Sequence, residues 1–191
     1  MDLPIKLLYF DVESTGLDPV KNDIIQIAGI IEIDNVVKEE FNLKCQPHSY
    51  ENISPEALAI NKTTIEELKT RQTSKEMLNK LLVILDRYVF KFNKKDKFFP
   101  VGQNINFDVS FLFEFCKKCA FNYIGSYLDY HKADTMDLLM VLMVNKKLPV
   151  GNIKLENACK YFDIELFDAH DAMADIRATR LLWKKLSDRI V

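Results

Sequence analysis

The stretch that decides the fold is residues 7–18, which read LLYFDVESTGLD. It opens with an apolar run that ends at Asp11, a pattern typical of a buried strand. Side chains alternate along a strand, so Asp11 and Glu13 share one face about 6.5 Å apart, while Phe10 and Val12 point to the other face. No basic residue adjoins this pair in the sequence, and a hard cation would relieve the repulsion between the carboxylates. A strand end whose polar side chains simply enter solvent is the structural alternative.

The regions that follow predict more strands and then helices. Residues 24–33 (IIQIAGIIEI) and 36–44 (VVKEEFNLK) read as strands joined by a tight turn at Asp34-Asn35, which together make a β-meander, and Phe98 to Val101 reads as a short buried strand. Helical spacing and caps predict helices at Pro55 to Ala59, Thr63 to Leu68, Ser74 to about Phe92, Phe107 to Cys119, Met136 to Asn145, Lys154 to Tyr161 and Asp171 to Ile190. The expected class is α/β, with a central mixed sheet that consists of an antiparallel meander followed by parallel strands and is flanked by helices.

Composition narrows the class of protein. The 191 residues, 48% hydrophobic and 28% charged, fit a single globular domain over residues 1–191 and exclude disordered and fibrous classes. The sequence has no apolar run of membrane-spanning length and no signal segment, so we expect a soluble cytoplasmic protein with no membrane partner. A net charge of -2 excludes a strong overall electrostatic attraction for a long nucleic acid. Local binding of the end of a nucleic-acid strand is still compatible with it.

The four cysteines do not predict a disulfide scaffold or a zinc site. Cys116 and Cys119 form a C-x-x-C, but they lie in a helical pattern without a second Cys/His pair at zinc spacing. Cys45 and Cys159 stand alone in the sequence. We therefore expect buried or half-buried free thiols.

Two further acids lie where helices are predicted to begin. Asp108 follows the short strand in GQNINFD, and an acid in a first helical turn is often only a favourable partner of the helix dipole. Asp175 has no cation at helical spacing, and Asp171 four residues earlier repels it, so something outside the helix should compensate its charge. His170 could reach the same site, although a lone histidine near a helix start is ordinarily a cap or a surface residue.

Taken together, these segments resemble the DEDDh group of DnaQ-like 3′-to-5′ exonucleases, which share a ribonuclease-H-like fold. The family's three motifs, D-x-E-x-T-G, N-x-x-F-D and H-x₄-D, stand here in order at Asp11 to Gly16, Asn104 to Asp108 and His170 to Asp175. The resemblance covers roughly Leu7 to Leu186. One departure is Gln103, where many relatives carry histidine.

The resemblance implies a site for two divalent cations, Mg²⁺ or Mn²⁺, which suit phosphodiester hydrolysis. In that family pattern Asp11 bridges both ions, Glu13 and Asp175 hold the ion that carries the nucleophilic water, and Asp108 supports the other. His170 is the implied general base, because a neutral imidazole accepts a proton near neutral pH. The catalytic set is therefore the four acids together with His170.

The resemblance also implies how the substrate is held. The backbone of Thr15 and Gly16, the side chain of Leu17 as an apolar wedge, and Asn104 and Phe107 are the implied contacts with a terminal nucleotide. A glycine at position 16 would allow a turn and a close approach to a ligand. Core packing is the alternative for Leu17 and Phe107.

The function implied is hydrolysis from the 3′ end of DNA or RNA, releasing nucleoside 5′-monophosphates. Two alternatives stay open, a catalytically idle module of the same fold that binds nucleic acid or protein, and a Mg²⁺-dependent hydrolase of small phosphate esters. Because only 16 residues follow Asp175, we expect no tail that tethers the protein to a polymerase. The sequence leaves the oligomeric state open, and a homodimer is compatible with it.

Overall fold

The computed structural model describes residues 3–148, 153–166 and 171–189. Within them, the chain forms a mixed five-stranded sheet with the strand order β3-β2-β1-β4-β5. The pairs β1–β2 and β2–β3 are antiparallel, whereas β1–β4 and β4–β5 are parallel, which confirms the predicted meander followed by parallel strands. The strands are β1 (Lys6–Ser14), β2 (Ile24–Ile33), β3 (Val36–Lys44), β4 (Phe99–Gly102) and β5 (Ala133–Asp134).

Helices pack on both faces of this sheet. In the described residues they are α1 (Pro55–Ile60), α2 (Ile65–Thr70), α3 (Ser74–Asp86), α4 (Ile105–Lys118), α5 (Thr135–Val144), α6 (Leu155–Tyr161) and α7 (Ala172–Ser187), with a short 3₁₀ helix at Ile124–Ser126. Local sequence explains several of their starts. Ser54, Thr64 and Thr73 each accept a hydrogen bond from a backbone N–H in the first turn of the helix that follows.

The alternation along β1 divides the core between the two faces. Leu8, Phe10 and Val12 pack in a cluster that includes residues of α3 and α4. Tyr9 points to the opposite face, where Ala172 and other residues of α7 cover it. Strand β2 is buried along nearly its whole length because both faces of the sheet are covered, which explains its almost uninterrupted apolar sequence.

Two predicted boundaries are wrong because tertiary contacts override the local pattern. Strand β1 continues to Ser14 instead of ending at Asp11, since its antiparallel pairing with β2 runs through both acids. Helix α3 ends at Asp86, six residues before the predicted Phe92. There Lys6 donates to the Tyr88 carbonyl and the Asp96 carboxylate accepts from the Phe90 amide, so the chain turns away from the helix axis.

The remaining differences are smaller. The two-residue strand β5 was not predicted, because Ala133–Asp134 is too short to show a periodic pattern. The sequence also predicts breaks between helices at Pro149-Val150-Gly151 and around Asp168, and both lie outside the described residues. All four cysteines are free, as expected, with Cys119 half-buried and the others buried. No helix in the described part of the chain combines the length and apolar character that a membrane crossing requires.

Candidate active site

Three acids from two elements meet at the end of β1. Asp11 and Glu13 lie on the face of β1 that α7 covers, the same face as Tyr9. Asp175 lies in the first turn of α7. One carboxylate oxygen from each of the three falls within 4.8 Å of the other two. The structure thus brings together acids that are 164 residues apart in sequence (175 − 11).

Asp108 adjoins this cluster from the other side of the sheet. It lies in the first turn of α4, and its Oδ1 accepts a hydrogen bond of 3.0 Å from the backbone N–H of Val12. Its exposed fraction is only 3%. Val12 lies between Asp11 and Glu13, so this bond ties the fourth acid directly to the strand that carries the first two. Asp108 is not one of the three acids whose oxygens converge.

The crowding of like charges appears in the pKa values. Burial raises the pKa of Asp11 well above its ordinary value, and neighbouring carboxylates, Asp108 foremost, raise it further. The pKa of Glu13 is raised to about 8, first by burial and then by the charge of Asp175. Burial also raises the pKa of Asp108. Such a group of hard oxygen donors fits a divalent cation, which would favour the charged form of every one of them.

Within the described residues, a lysine from a distant strand lies near these acids, and no sequence signal marked it. Lys44, at the end of β3, lowers the pKa of Glu13, and its Nζ lies 3.9 Å from Oδ2 of Asp171. The expectation that nothing basic neighbours the β1 acids therefore holds along the chain but not in space. Lys44 and Glu13 border a cavity of about 160 Å³, whose other walls include Gln26, Asn61, Arg71 and Asp171.

His170, the predicted general base, lies outside the described residues, and its role stays a prediction. Its neighbour Asp171 is described. Asp171 is the N-cap of α7, and its Oδ1 accepts from the backbone N–H groups of Met173 and Ala174. Its Oδ2 accepts a hydrogen bond from Gln26, a residue that no sequence signal marked.

The turn after β1 is held tightly by its neighbours. Thr15 is buried, its N–H donates to the Asp23 carbonyl, and its carbonyl accepts from the Ser54 N–H. Its hydroxyl oxygen accepts from the Asp23 N–H. A Cβ at Gly16 would lie 2.5 Å from the side-chain amide of Asn22, so a larger residue would have to displace that amide from its bonds to the Asp18 N–H and the Asn52 carbonyl. The backbone N–H and carbonyl of Thr15 thus already have partners within the chain.

Leu17 and Phe107, the two predicted apolar contacts, differ in their surroundings. Leu17 is 85% exposed, so the core-packing alternative is wrong for this residue. Phe107 is half-buried against the core, with its ring centroid 4.6 Å from that of Phe111. Packing accounts for part of Phe107, and its contact with a substrate stays a prediction.

The second motif begins in an unusual backbone conformation. Asn104 is exposed, with a φ of 61°, and its N–H donates to the carboxylate of Asp134. Asp134 also accepts from the N–H groups of Ile105 and Met136 and so joins the starts of α4 and α5. Gln103, the departure from the family pattern, donates to the Ile153 carbonyl at 2.8 Å and accepts from the Thr135 hydroxyl. Those contacts link Gln103 to the α5 start and the segment before α6.

Comparison with known proteins agrees with this geometry. A family model described as exonuclease matches residues 8–182. The chain belongs to this exonuclease family. Curated relatives include the PolC-type DNA polymerase III of Halalkalibacterium halodurans, 28% identical over 97% of this chain and 12% of the relative. The same enzyme of Bacillus subtilis is 31% identical over 94% of this chain and 11% of its own length. The chain therefore matches a small part of each polymerase.

Solved structures show the same fold. Escherichia coli exonuclease I in complex with a dT13 oligonucleotide superposes with a TM-score of 0.80 at 20% identity, covering 97% of this chain and 41% of that one. The zinc-bound form of the exonuclease I–single-stranded DNA complex gives a TM-score of 0.80 at 21% identity, covering 98% and 41%. The ribonuclease-H-like fold and the resemblance to DnaQ-like exonucleases are confirmed.

Proposed function

We propose that this protein is a metal-dependent exonuclease that hydrolyses the terminal phosphodiester bond at the 3′ end of a nucleic acid and releases a nucleoside 5′-monophosphate. The observation that carries the proposal is the convergence of Asp11, Glu13 and Asp175 beside Asp108 in a chain of the exonuclease family. It acts as one exonuclease domain over residues 1–191. Its four free thiols suit a reducing compartment, the cytoplasm.

The donor set fits two divalent cations, Mg²⁺ or Mn²⁺. It consists of carboxylate oxygens, which hard divalent ions prefer. Burial first, and then repulsion between neighbouring acids, raises the pKa values of Asp11 and Glu13, and bound cations would favour the charged forms. Asp11 would bridge both ions, Glu13 and Asp175 would hold one, and Asp108 would support the other. Bound there, the ions would supply an activated water and stabilise the charge that develops on the phosphate and the leaving oxygen.

The chain's own residues bind and orient the 3′-terminal nucleotide. Leu17 projects from the turn after β1 and is free to pack against a base or sugar, because it is exposed and the turn beneath it is rigid. Gly16 has no side chain, so the protein backbone at this position can come close to the nucleotide. Asn104 and Phe107, from the start of α4, complete the proposed contacts. An imidazole nitrogen of His170 accepts the proton of the attacking water.

Single-stranded DNA is the proposed first substrate. The exonuclease I structures hold dT13 and single-stranded DNA, and the curated relatives are DNA polymerases. RNA is the competing polymer. An idle module that only binds nucleic acid, and a hydrolase of small phosphate esters, are the alternatives that the assay must separate.

The test is a gel time course with 5′-labelled and 3′-labelled single-stranded DNA, RNA and duplexes, in Mg²⁺, Mn²⁺ or EDTA. We expect 5′-labelled single strands to shorten stepwise only with metal, and 3′-labelled strands to release labelled mononucleotide at once. Cleavage of a circular strand, or undiminished cleavage in EDTA, would contradict the proposal. Binding without cleavage would favour the idle module, and hydrolysis of nucleotide monophosphates alone would favour the small-ester hydrolase.

A separate variant tests the assignment of His170 as the general base. His170→Ala should lower turnover by roughly 10²–10⁴-fold, the usual contribution of a positioned acid-base group. Binding of the oligonucleotide and of Mn²⁺ should persist, which fluorescence anisotropy and calorimetry would show. A variant with the wild-type rate would remove His170 from the mechanism and leave the metal site standing.

A further inference from the structure

We propose that Gln26 is a positioning residue for the active site, because its side-chain amide holds Asp171 and through it sets the first turn of α7, which carries Asp175. This inference rests on the proposed function. It assigns a task in the reaction to a residue outside the family motifs.

Gln26 lies inside the site. It is directly opposite Glu13 in the antiparallel register of β1 and β2, and only 5% of it is exposed. Its Nε2 donates to Oδ2 of Asp171 at 3.1 Å and to Oδ1 of Asn42 at 2.9 Å. An ionised carboxylate can only accept, so the amide nitrogen must be the atom that faces Asp171.

Asp171 connects Gln26 to the first turn of α7. While Oδ2 binds Gln26, Oδ1 caps the N–H groups of Met173 and Ala174 at 3.1 and 3.3 Å. The backbone carbonyl of Asp171 accepts the N–H of Asp175 at 3.0 Å. Three of the first backbone donors of α7 are therefore bound by the residue that Gln26 holds. A shift of Asp171 would move Asp175 relative to Asp11 and Glu13.

Charge explains why a neutral amide suits this position. Burial first, and then the charges of Asp175 and Asp171, raise the pKa of Glu13. A carboxylate at position 26 would add to that repulsion, whereas a cation would compete with a metal ion for the same acids. An amide donates two hydrogen bonds without changing the charge. Lys44, a cation beside these acids, is 45% exposed along its side chain and lies 3.9 Å from Asp171, too far for a direct hydrogen bond.

The first test removes the donor. Gln26→Met keeps the length of the side chain but cannot hold Asp171, so we expect kcat to fall by about 10–100-fold, as when a residue behind a metal ligand is lost. KM should change less than about threefold, because only 5% of Gln26 is exposed and its amide nitrogen is bound to Asp171 and Asn42. Asn42→Ala is the matched control, since it removes the other partner of Gln26 and should leave kcat within about twofold.

The second test exchanges donor and acceptor. Gln26→Glu should lower kcat because it places two carboxylates against each other. Asp171→Asn should lower kcat because the Gln26 amide must turn over, and so lose its bond to Asn42, to accept from the new amide. The double variant restores an amide facing a carboxylate, and asparagine caps a helix as well as aspartate, so kcat should recover at least about tenfold over Gln26→Glu. Losses that simply multiply in the double variant would overturn the proposal.

A third readout needs neither metal nor turnover. Amide hydrogen exchange in EDTA should show faster exchange at Met173, Ala174 and Asp175 in Gln26→Met, with the last two turns of α7 unchanged, and restored protection in the double variant. Uniformly faster exchange along α7, or wild-type kcat in Gln26→Met, would overturn the positioning role. If instead the wild-type protein fails to degrade any strand with metal, the proposed function has failed, and the exchange pattern still reports on the Gln26–Asp171 contact.

Discussion

Strand β1 carries charged side chains near both of its ends, buried at the first end and half-buried at the other, and the two ends differ in what surrounds the charge. At the first residue, Lys6 forms a buried ion pair with Asp96. Burial acts to raise the pKa of Asp96, but hydrogen bonds from Lys6 and from the Phe90 N–H outweigh it and keep that pKa below its ordinary value. Near the last residues, Asp11 and Glu13 face another acid, and their pKa values rise. One end is neutralised within the chain, whereas the other is a group of like charges where we propose that divalent cations bind.

The largest expected effect comes from removing a charge at the acid end. Asp11→Asn keeps the shape of the side chain but removes a carboxylate whose pKa burial and four neighbouring acids raise. Exonuclease turnover should fall by roughly 10⁴-fold, about 5.5 kcal/mol, while the melting temperature in EDTA should be equal to or above that of the wild type. Both are measured on one preparation, with a labelled oligonucleotide and by calorimetry. A clear loss of stability in EDTA would mean that Asp11 serves the fold.

The same substitution at the other end should do the reverse. Asp96→Asn leaves the buried Lys6 ammonium without its partner, which costs about 3 kcal/mol, so the melting temperature should fall by roughly 6–12 °C. Activity per folded molecule should stay within about twofold. Asp163→Asn, an exposed aspartate in a left-handed conformation that asparagine also tolerates, is the control and should melt like the wild type. If Asp96→Asn melts normally, the two ends do not differ in the way described.

A pH series sharpens the same comparison. Because the pKa of Glu13 is raised from about 4.5 to about 8, the folded protein holds this proton more tightly than the unfolded chain. The stability that protonation of Glu13 contributes is then fully present below about pH 4.5 and is lost as the pH rises toward 8. In EDTA the melting temperature should be roughly 4–8 °C lower at pH 8.5 than at pH 5.5, and saturating Mn²⁺ should remove most of that difference. A melting temperature that rises over this range in EDTA would contradict the assignment.

The smallest effect concerns the exposed turn beyond the acids. Leu17→Ala should raise KM for a single strand by roughly 5–10-fold, since an apolar contact of this size contributes about 1 kcal/mol, with little change in kcat or melting temperature. Val20→Ala, in the same loop and 64% exposed, is the matched control. Equal effects of the two variants would show that Leu17 contacts nothing specific.

Much of this could be predicted from the sequence, for reasons that particular residues make plain. The bounds of β2 and β3 follow from long apolar or alternating runs joined at Asp34 and Asn35, both of which adopt positive φ. The grouping of Asp11, Glu13 and Asp175 followed from alternation, helix position and motif order. These are local signals, and they report on the element to which a residue belongs.

What could not be predicted depends on neighbours from distant elements. Gln26 and Lys44 reach the site only because β1, β2 and β3 are side by side in a particular register, and neither residue stands out in its own segment. The early end of α3 depends on Lys6, more than 80 residues away from the carbonyl that it binds. Local periodicity carries no information about such partners, so the prediction extended the helix too far.

Helix α4 offers one more consequence. Its first turn carries Asp108, which binds the Val12 N–H, and its last residue, Lys118, donates to the Asn22 carbonyl and the Asp23 carboxylate at 2.6 and 2.7 Å. The contacts of Asp108 and Lys118 are about 15 Å apart along the helix axis. Asp23 in turn forms hydrogen bonds with Thr15. Helix α4 therefore connects the acid cluster to the turn that carries the proposed nucleotide contacts. Strand β1 and the turn that follows it should therefore move together as one rigid unit. The distance between the acid cluster and the proposed nucleotide contacts should then stay constant during thermal motion.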